Sequence, residues 1–444
     1  MSTSLPNRYE VRAAWIDHFP LIGWITFPTH HPANDASVSE NQEARSPRPG
    51  TPVRAAINER PCFEYSLGWC SQGFALGLDC PLKLGVQKPL GNLRTFGFIK
   101  DRHPHPDAEL FFDPLPNEAP PAGWSPYASK SLLGAILLPD PSVTIGGLLF
   151  VPESGPALTH QSPMHINDLT ELVFAFHAFE RGKNTADEQA VLRRAALTPD
   201  ERLSFTMTTE RRPIQVVLPS LRDAYDVPFW RAFALKMARA CGIETVDYNY
   251  ARRMGESVLT LERFDRLNVS ERVRDRTVIR SHIRHCASST TLAYRVHPRT
   301  GRPVPVSYLS MADILNREGA APGEDLPKLW DRLAYTLLTN RSGDRPERWQ
   351  FIREPHGWRL APAHQLEWAP VGYGSRQGGI TADGRKPLYD VEDCVALAPY
   401  FGLRTSDAKM RLMTLRRALR DWESIAVESG ANPSDVSLMA SLFE

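Results

Sequence analysis

Val258-Leu259-Thr260-Leu261-Glu262-Arg263-Phe264-Asp265-Arg266 decides the fold. Its first four residues form a short apolar run, and the charged run after them marks where that run leaves the core. Upstream, Asp226-Val227-Pro228 opens a segment in which Trp230, Phe233, Ala234, Met237, Ala238 and Cys241 recur at three- and four-residue spacing. That spacing predicts a helix over 228–241, with Pro228 in its first turn and Gly242 just past its end. Downstream, Gly357-Trp358-Arg359-Leu360-Ala361-Pro362-Ala363-His364-Gln365-Leu366 completes the set of phrases from which the rest of the chain can be read.

Composition bounds the possibilities. A chain of 444 residues that is 42% hydrophobic can bury a large core, and its length suggests two or three domains. Fifty-two basic side chains oppose 51 acidic ones, a net charge of +1, so no overall field draws the protein to nucleic acid or to an anionic membrane. The six cysteines are scattered without a Cys-x-x-Cys pair, which fits reduced thiols better than a disulfide framework or a zinc site. No secretory leader and no apolar run of membrane-spanning length is visible, so a cytoplasmic protein without a membrane partner is expected.

Tyr9 to Phe27 alternates as half-buried strands do and is expected to form a hairpin. From Pro28 to Arg54 large apolar residues almost vanish, and a flexible insertion is expected at about 28–54. Order returns at Cys62-Phe63-Glu64-Tyr65, Phe96-Gly97-Phe98-Ile99-Lys100-Asp101 and Ile145-Gly146-Gly147-Leu148-Leu149-Phe150. Near the carboxyl end Leu412, Leu415, Leu419, Trp422 and Ala426 predict one apolar helical face, capped at Thr405 or Ser406 and stopped at Gly430.

These phrases, in this order, resemble the HipA family of bacterial serine/threonine kinases. The strongest parts are Leu261 to Arg266, Ala238 to Ile243 and Trp358 to Pro362. The resemblance implies an α+β, two-lobed, protein-kinase-like fold with a mostly β amino-terminal lobe and a helical carboxyl-terminal lobe. It divides the chain into an amino-terminal region over 1–160, a kinase-like lobe to the hinge over 161–270 and a helical lobe over 271–444. HipA proteins are toxins of toxin-antitoxin systems, phosphorylate translation factors and are restrained by a helix-turn-helix partner.

Phosphoryl transfer needs a lysine for the phosphates, a base for the acceptor hydroxyl and carboxylates for magnesium. By resemblance, the phosphate lysine falls at Val217 in Ile214-Gln215-Val216-Val217-Leu218-Pro219, and its glutamate partner falls at Arg231. The family loop Asn-x-Asp-x-His-x-x-Asn aligns with Asn340-Arg341-Ser342-Gly343-Asp344-Arg345-Pro346-Glu347, which places Ser342 at the base and Glu347 at the metal asparagine. Serine is a poor base at neutral pH, so a shifted loop that recruits Asp344 and Glu347 is the enzyme alternative. The second metal carboxylate falls at Gln365 in Pro362-Ala363-His364-Gln365, and a neutral amide holds magnesium poorly. No glycine precedes the Val217 strand as far back as Lys183, so no phosphate-cradling loop is expected there.

What the resemblance preserves is the hinge. The carbonyl of Glu262 and the amide of Phe264 fall where the family holds adenine, so ATP without strong magnesium dependence is the candidate ligand. The alternative reading makes Arg263, Asp265 and Arg266 structural ion pairs. His282-x-x-His285-Cys286 offers two ligands on one helical face, short of the three or four that zinc needs, and no metal is expected. Gly372-Tyr373-Gly374-Ser375 and Gly378-Gly379 fit no phosphate-loop spacing. The arginine-rich segments 272–284 and 409–420 read as solvated helical faces, with contact to DNA expected only through a complex. The leading expectation is a pseudokinase that binds a protein partner, either a cognate kinase or a helix-turn-helix regulator, with an active kinase and a DNA-associated regulator as alternatives.

Overall fold

The computed structural model describes residues 8–27, 60–102 without 92 and 94, 144–154, 163–195, 203–370 without 211, 274, 275, 298, 301 and 340–343, and 391–443. The expected insertion at 28–54, Ser342, and the glycines between 372 and 379 lie outside the described residues.

The amino-terminal sheet contains β1 (Arg8–Ala13), β2 (Leu21–Thr26), β3 (Cys62–Tyr65) and β4 (Leu148–Pro152) in the order β3-β2-β1-β4, all antiparallel. Alternation sets its faces: Tyr9, Val11 and Ala13 are fully buried and pack with Ile25, Phe63 and Phe150, while Arg8, Glu10 and Arg12 remain partly exposed. The hairpin expected over Tyr9 to Phe27 is present.

A second antiparallel sheet has the order β5-β6-β8-β7, from β5 (Phe205–Thr208), β6 (Pro213–Val217), β7 (Tyr248–Arg253) and β8 (Glu256–Glu262). β8 is flanked on both sides, and its two faces serve two cores. Val258 packs with the helices Leu169–Glu180 and Ala186–Ala195, whereas Leu259 and Leu261 pack with the helix Val227–Ala240. That last helix begins where the sequence indicates, because the Asp226 carboxylate accepts the Phe229 amide at 3.0 Å. It ends before Gly242, whose φ of 78° is the left-handed geometry a glycine supplies without strain.

After β8 the chain departs from one expectation. The described residues of 272–284 are not helical: β9 (Arg266–Val273) and β10 (Arg276–Ile283) pair antiparallel with Arg276 opposite Val273. The valine, threonine and isoleucine content of this stretch favours a pleated strand over the solvated helical face expected of an arginine-rich segment. His282 and His285 therefore do not share a helical face. Beyond it come β11 (Cys286–Ser288), the short pair β12 (Arg295–Val296) and β13 (Pro303–Val304), then β14 (Gln350–Glu354) and β15 (Gly357–Leu360), with β14 paired to both β11 and β15.

Helices build the remainder. Tyr308–Glu318 and Pro322–Thr339 pack with Val391–Leu397 and Thr405–Leu419 around Leu315, Leu329, Trp330 and Phe401. The predicted face of Leu412, Leu415, Leu419, Trp422 and Ala426 is buried throughout, but two helices carry it, Thr405–Leu419 and Trp422–Glu428. Its start also differs, since Arg404 occupies the cap and Thr405 is already helical. Among the described residues no helix is long and apolar enough to cross a membrane.

Candidate functional site

The site is assembled from the end of β8, the helix Pro322–Thr339, residues 344–349 and the irregular segment 361–369. Val217 ends β6 opposite Leu259 and is 1% exposed within the apolar core under the helix Val227–Ala240. Arg231 lies on that helix and is itself buried at 3% exposure. The neutral side chain at 217 is thus sealed in this apolar core and has no charge to offer a phosphate.

Around residue 344 the chain encloses a cleft of about 10 Å³, room for roughly one water. Arg332, Tyr335, Thr336, Thr339, Asp344, Arg348, Gln365, Leu366 and Glu367 line it. Asp344 and Gln365, singled out from the sequence, are thus brought together, whereas Glu347 pairs with Lys100 at 3.3 Å on the surface. The Asp344 carboxylate accepts from the Tyr308 hydroxyl at 2.9 Å, from Trp349 Nε1 at 2.5 Å and from the Arg345 amide at 2.9 Å.

Two guanidinium groups share the cleft. Arg348 donates to the Glu367 carboxylate at 2.8 Å, with both side chains nearly buried. Arg332 donates to the Arg348 carbonyl at 3.0 Å and stacks on the Trp349 ring at 4.1 Å, while its Nε and Nη1 are buried without a hydrogen-bond partner. Burial pushes the Arg332 pKa down to about 10, opposed by the nearby Asp344 and Tyr308, so it is still cationic at neutral pH. Magnesium seeks anionic oxygens in open octahedral array. Here one carboxylate is saturated by neutral donors, the other is matched by Arg348, and Gln365 adds a neutral amide; this set does not fit the ion. Among the described residues no group of three or more metal-ligating side chains exists.

The hinge segment is anchored by charge. Asp265 is fully buried and receives Arg263 at 2.6 Å, Arg266 at 2.6 Å and the Gly146 amide at 3.0 Å. Burial alone would raise its pKa, but Arg263 and Arg266 outweigh that and hold the carboxyl below its usual range. Both arginines also donate to the Thr144 carbonyl, at 2.7 and 2.8 Å, so the motif ties the hinge to the chain entering β4. Next to this knot the Glu262 side chain pairs with Arg212. The Phe264 ring lies 4.5 Å from His364, two residues after Pro362, which brings the hinge against the segment that carries Gln365.

Tyr308, Arg332, Arg348, Trp349 and Glu367 were not singled out from sequence. One signal was available: Arg332, Tyr335, Thr336 and Thr339 recur at helical spacing, and all are buried. A charged residue on a buried line needs a partner, which the sequence cannot name.

The chain has recognisable relatives. Residues 222–440 match the family model described as the HipA-like C-terminal domain. No curated protein matches the chain. Among solved structures it is similar to HipA from the Shewanella oneidensis MR-1 toxin-antitoxin complex of HipA, HipB and operator DNA, with 13% identity over 98% of this chain and 96% of that one, and a TM-score of 0.58. A second solved structure, the Helicobacter pylori proinflammatory kinase CtkA, has 10% identity over 54% of this chain and 90% of that one, at a TM-score of 0.33. The first likeness shows that the fold is the two-lobed α+β architecture of HipA.

Proposed function

Given that residues 222–440 belong to the HipA-like C-terminal domain family, we propose that the protein is a HipA-like pseudokinase, a protein-binding regulatory component of a bacterial toxin-antitoxin-like system. One observation carries the reading: the cleft that gathers Asp344 and Gln365 already contains its own counter-charges, Arg332 and Arg348. A kinase site must leave carboxylates free for metal and base. In this reading Val217, Arg231, Ser342 and Gln365 are the degenerate positions. Losing the lysine, its partner, the base and a metal carboxylate together removes several orders of magnitude in rate. We propose the divisions 1–160, 161–270 and 271–444; the amino-terminal sheet has an apolar core of its own, while one core shared by the second sheet and the carboxyl-terminal helices spans the second boundary.

The hinge backbone at Glu262 and Phe264 remains a candidate for adenine, with ATP held without strong magnesium dependence. As partner we propose a cognate kinase or a helix-turn-helix regulator in the cytoplasm, with DNA reached only through the complex. The support is that the HipA similar in fold is seen with HipB and operator DNA.

The test is radiolabelled ATP with the purified protein and magnesium or manganese. No transfer is expected. Robust autophosphorylation that disappears in Asp344→Ala would establish instead the enzyme alternative, a serine/threonine kinase with a rearranged loop that uses Asp344 and Glu347. A salt-sensitive gel shift by the protein alone would favour the DNA-associated regulator.

A further inference from the structure

On the helix Thr405–Leu419 the residues facing away from Leu412, Leu415 and Leu419 form a line: Met410, Met413, Arg417 and, one position past the helix end, Arg420, at i, i+3, i+7 and i+10, with Lys409 beside it. Met410 is 63% exposed and Met413 69%. The basic residues on the flanks are matched, Arg404 with Asp407, Arg411 with Asp331 and Arg416 with Glu392. Lys409, Arg417 and Arg420 are exposed, and among the described residues none has a carboxylate partner. With a chain net charge of only +1, this is a local concentration of charge and not a share of a general field.

We propose that this stripe is a docking surface for an acidic, amphipathic helical segment of a partner protein. The argument rests on the protein-binding reading above and adds the chemistry of the partner. Unmatched cations call for carboxylates across the interface. Two exposed thioethers call for apolar side chains, because methionine moulds itself to irregular hydrophobic surfaces and is enriched in interface cores. A nucleic-acid backbone would use the arginines and gain little from Met410 and Met413, so the pairing of the two residue types favours a peptide.

The probe is a synthetic helical peptide of glutamate and leucine in amphipathic order, measured by fluorescence anisotropy against the full chain. A version with lysine for glutamate and a duplex DNA are the controls. Binding of the glutamate peptide is expected, weakened about tenfold by Met410→Ser with Met413→Ser and about tenfold by Arg417→Ser with Arg420→Ser. Unchanged thermal melting of both variants shows that folding is intact, since these side chains face outward. Absence of peptide binding overturns the proposal, as does binding indifferent to the methionines. DNA binding that depends on the arginines alone overturns it too. The phosphoryl-transfer assay reads independently: a chain that transfers phosphate yet binds the peptide retires the pseudokinase and keeps the docking stripe, and an inert chain that ignores the peptide does the reverse.

Discussion

The imidazole of His285 stacks on the indole of Trp15, with ring centroids 4.4 Å apart and planes inclined by 22°. Trp15 lies between β1 and β2, and His285 lies just before β11, so this stack joins the amino-terminal sheet to the body of the molecule. Phe74 and Trp358 close the box at 5.6 and 5.7 Å. Both ring nitrogens of His285 are buried without a hydrogen-bond partner. Burial, helped by Arg353 and Arg102, pushes its pKa down to about 3.

An acid-sensitive joint follows. In the unfolded chain histidine titrates near 6.5. Between that pH and about 3 the unfolded state binds a proton that the folded state refuses, so stability is fully present above pH 6.5 and is lost as pH falls through this window. Asp79 and Asp331, whose burial raises them to about 6, work in the opposite direction, so the comparison must be made between variants. Measured by urea unfolding between neutral pH and about pH 4, the native chain should lose several kcal/mol relative to His285→Phe, which keeps the ring, and that difference between the two profiles is the share of His285.

Asp265→Asn removes the buried carboxylate that Arg263 and Arg266 share, while both keep their bond to the Thr144 carbonyl. Breaking a buried pair in this way costs about 3–5 kcal/mol. Chemical denaturation should show that loss. A loss below about 1 kcal/mol would mean that the knot is solvated and does not anchor the hinge.

Asp344→Ala separates a structural carboxylate from a catalytic one. It strips the acceptor from Tyr308 and Trp349 and the counter-charge from Arg332. A destabilisation of about 2–4 kcal/mol is expected in thermal melting, with ATP turnover staying at background.

Gln365→Asp restores the type of group a metal site needs at that position. With Arg332 and Arg348 still in the cleft, no magnesium-dependent thermal shift is expected, with or without ATP. A shift of several degrees on adding magnesium alone would show that the missing carboxylate was the sole defect.

Much of the architecture was open to reading along the chain. The Tyr9 hairpin, the helix from Pro228 to Cys241 and the apolar face from Leu412 to Ala426 follow from alternation, helical spacing and caps, all local properties. Local reasoning went astray where two local signals competed. At 272–284 an arginine-rich stretch read as a solvated helical face while its β-branched residues built a hairpin, and at Arg420 and Asp421 a continuous apolar face concealed a break between two helices.

The sequence by itself determined the amphipathic faces and the side chains at 217, 231 and 365, because these depend only on what residue stands at each position. Only the tertiary structure decided what surrounds them. That Arg332 from one helix and Arg348 from a later turn meet Asp344 and Glu367 in a single cleft, and that His285 is sealed among Trp15, Phe74 and Trp358, depends on packing between segments far apart in the chain. Charge pairing and desolvation act through space, and a linear pattern of residue types carries no distance between them.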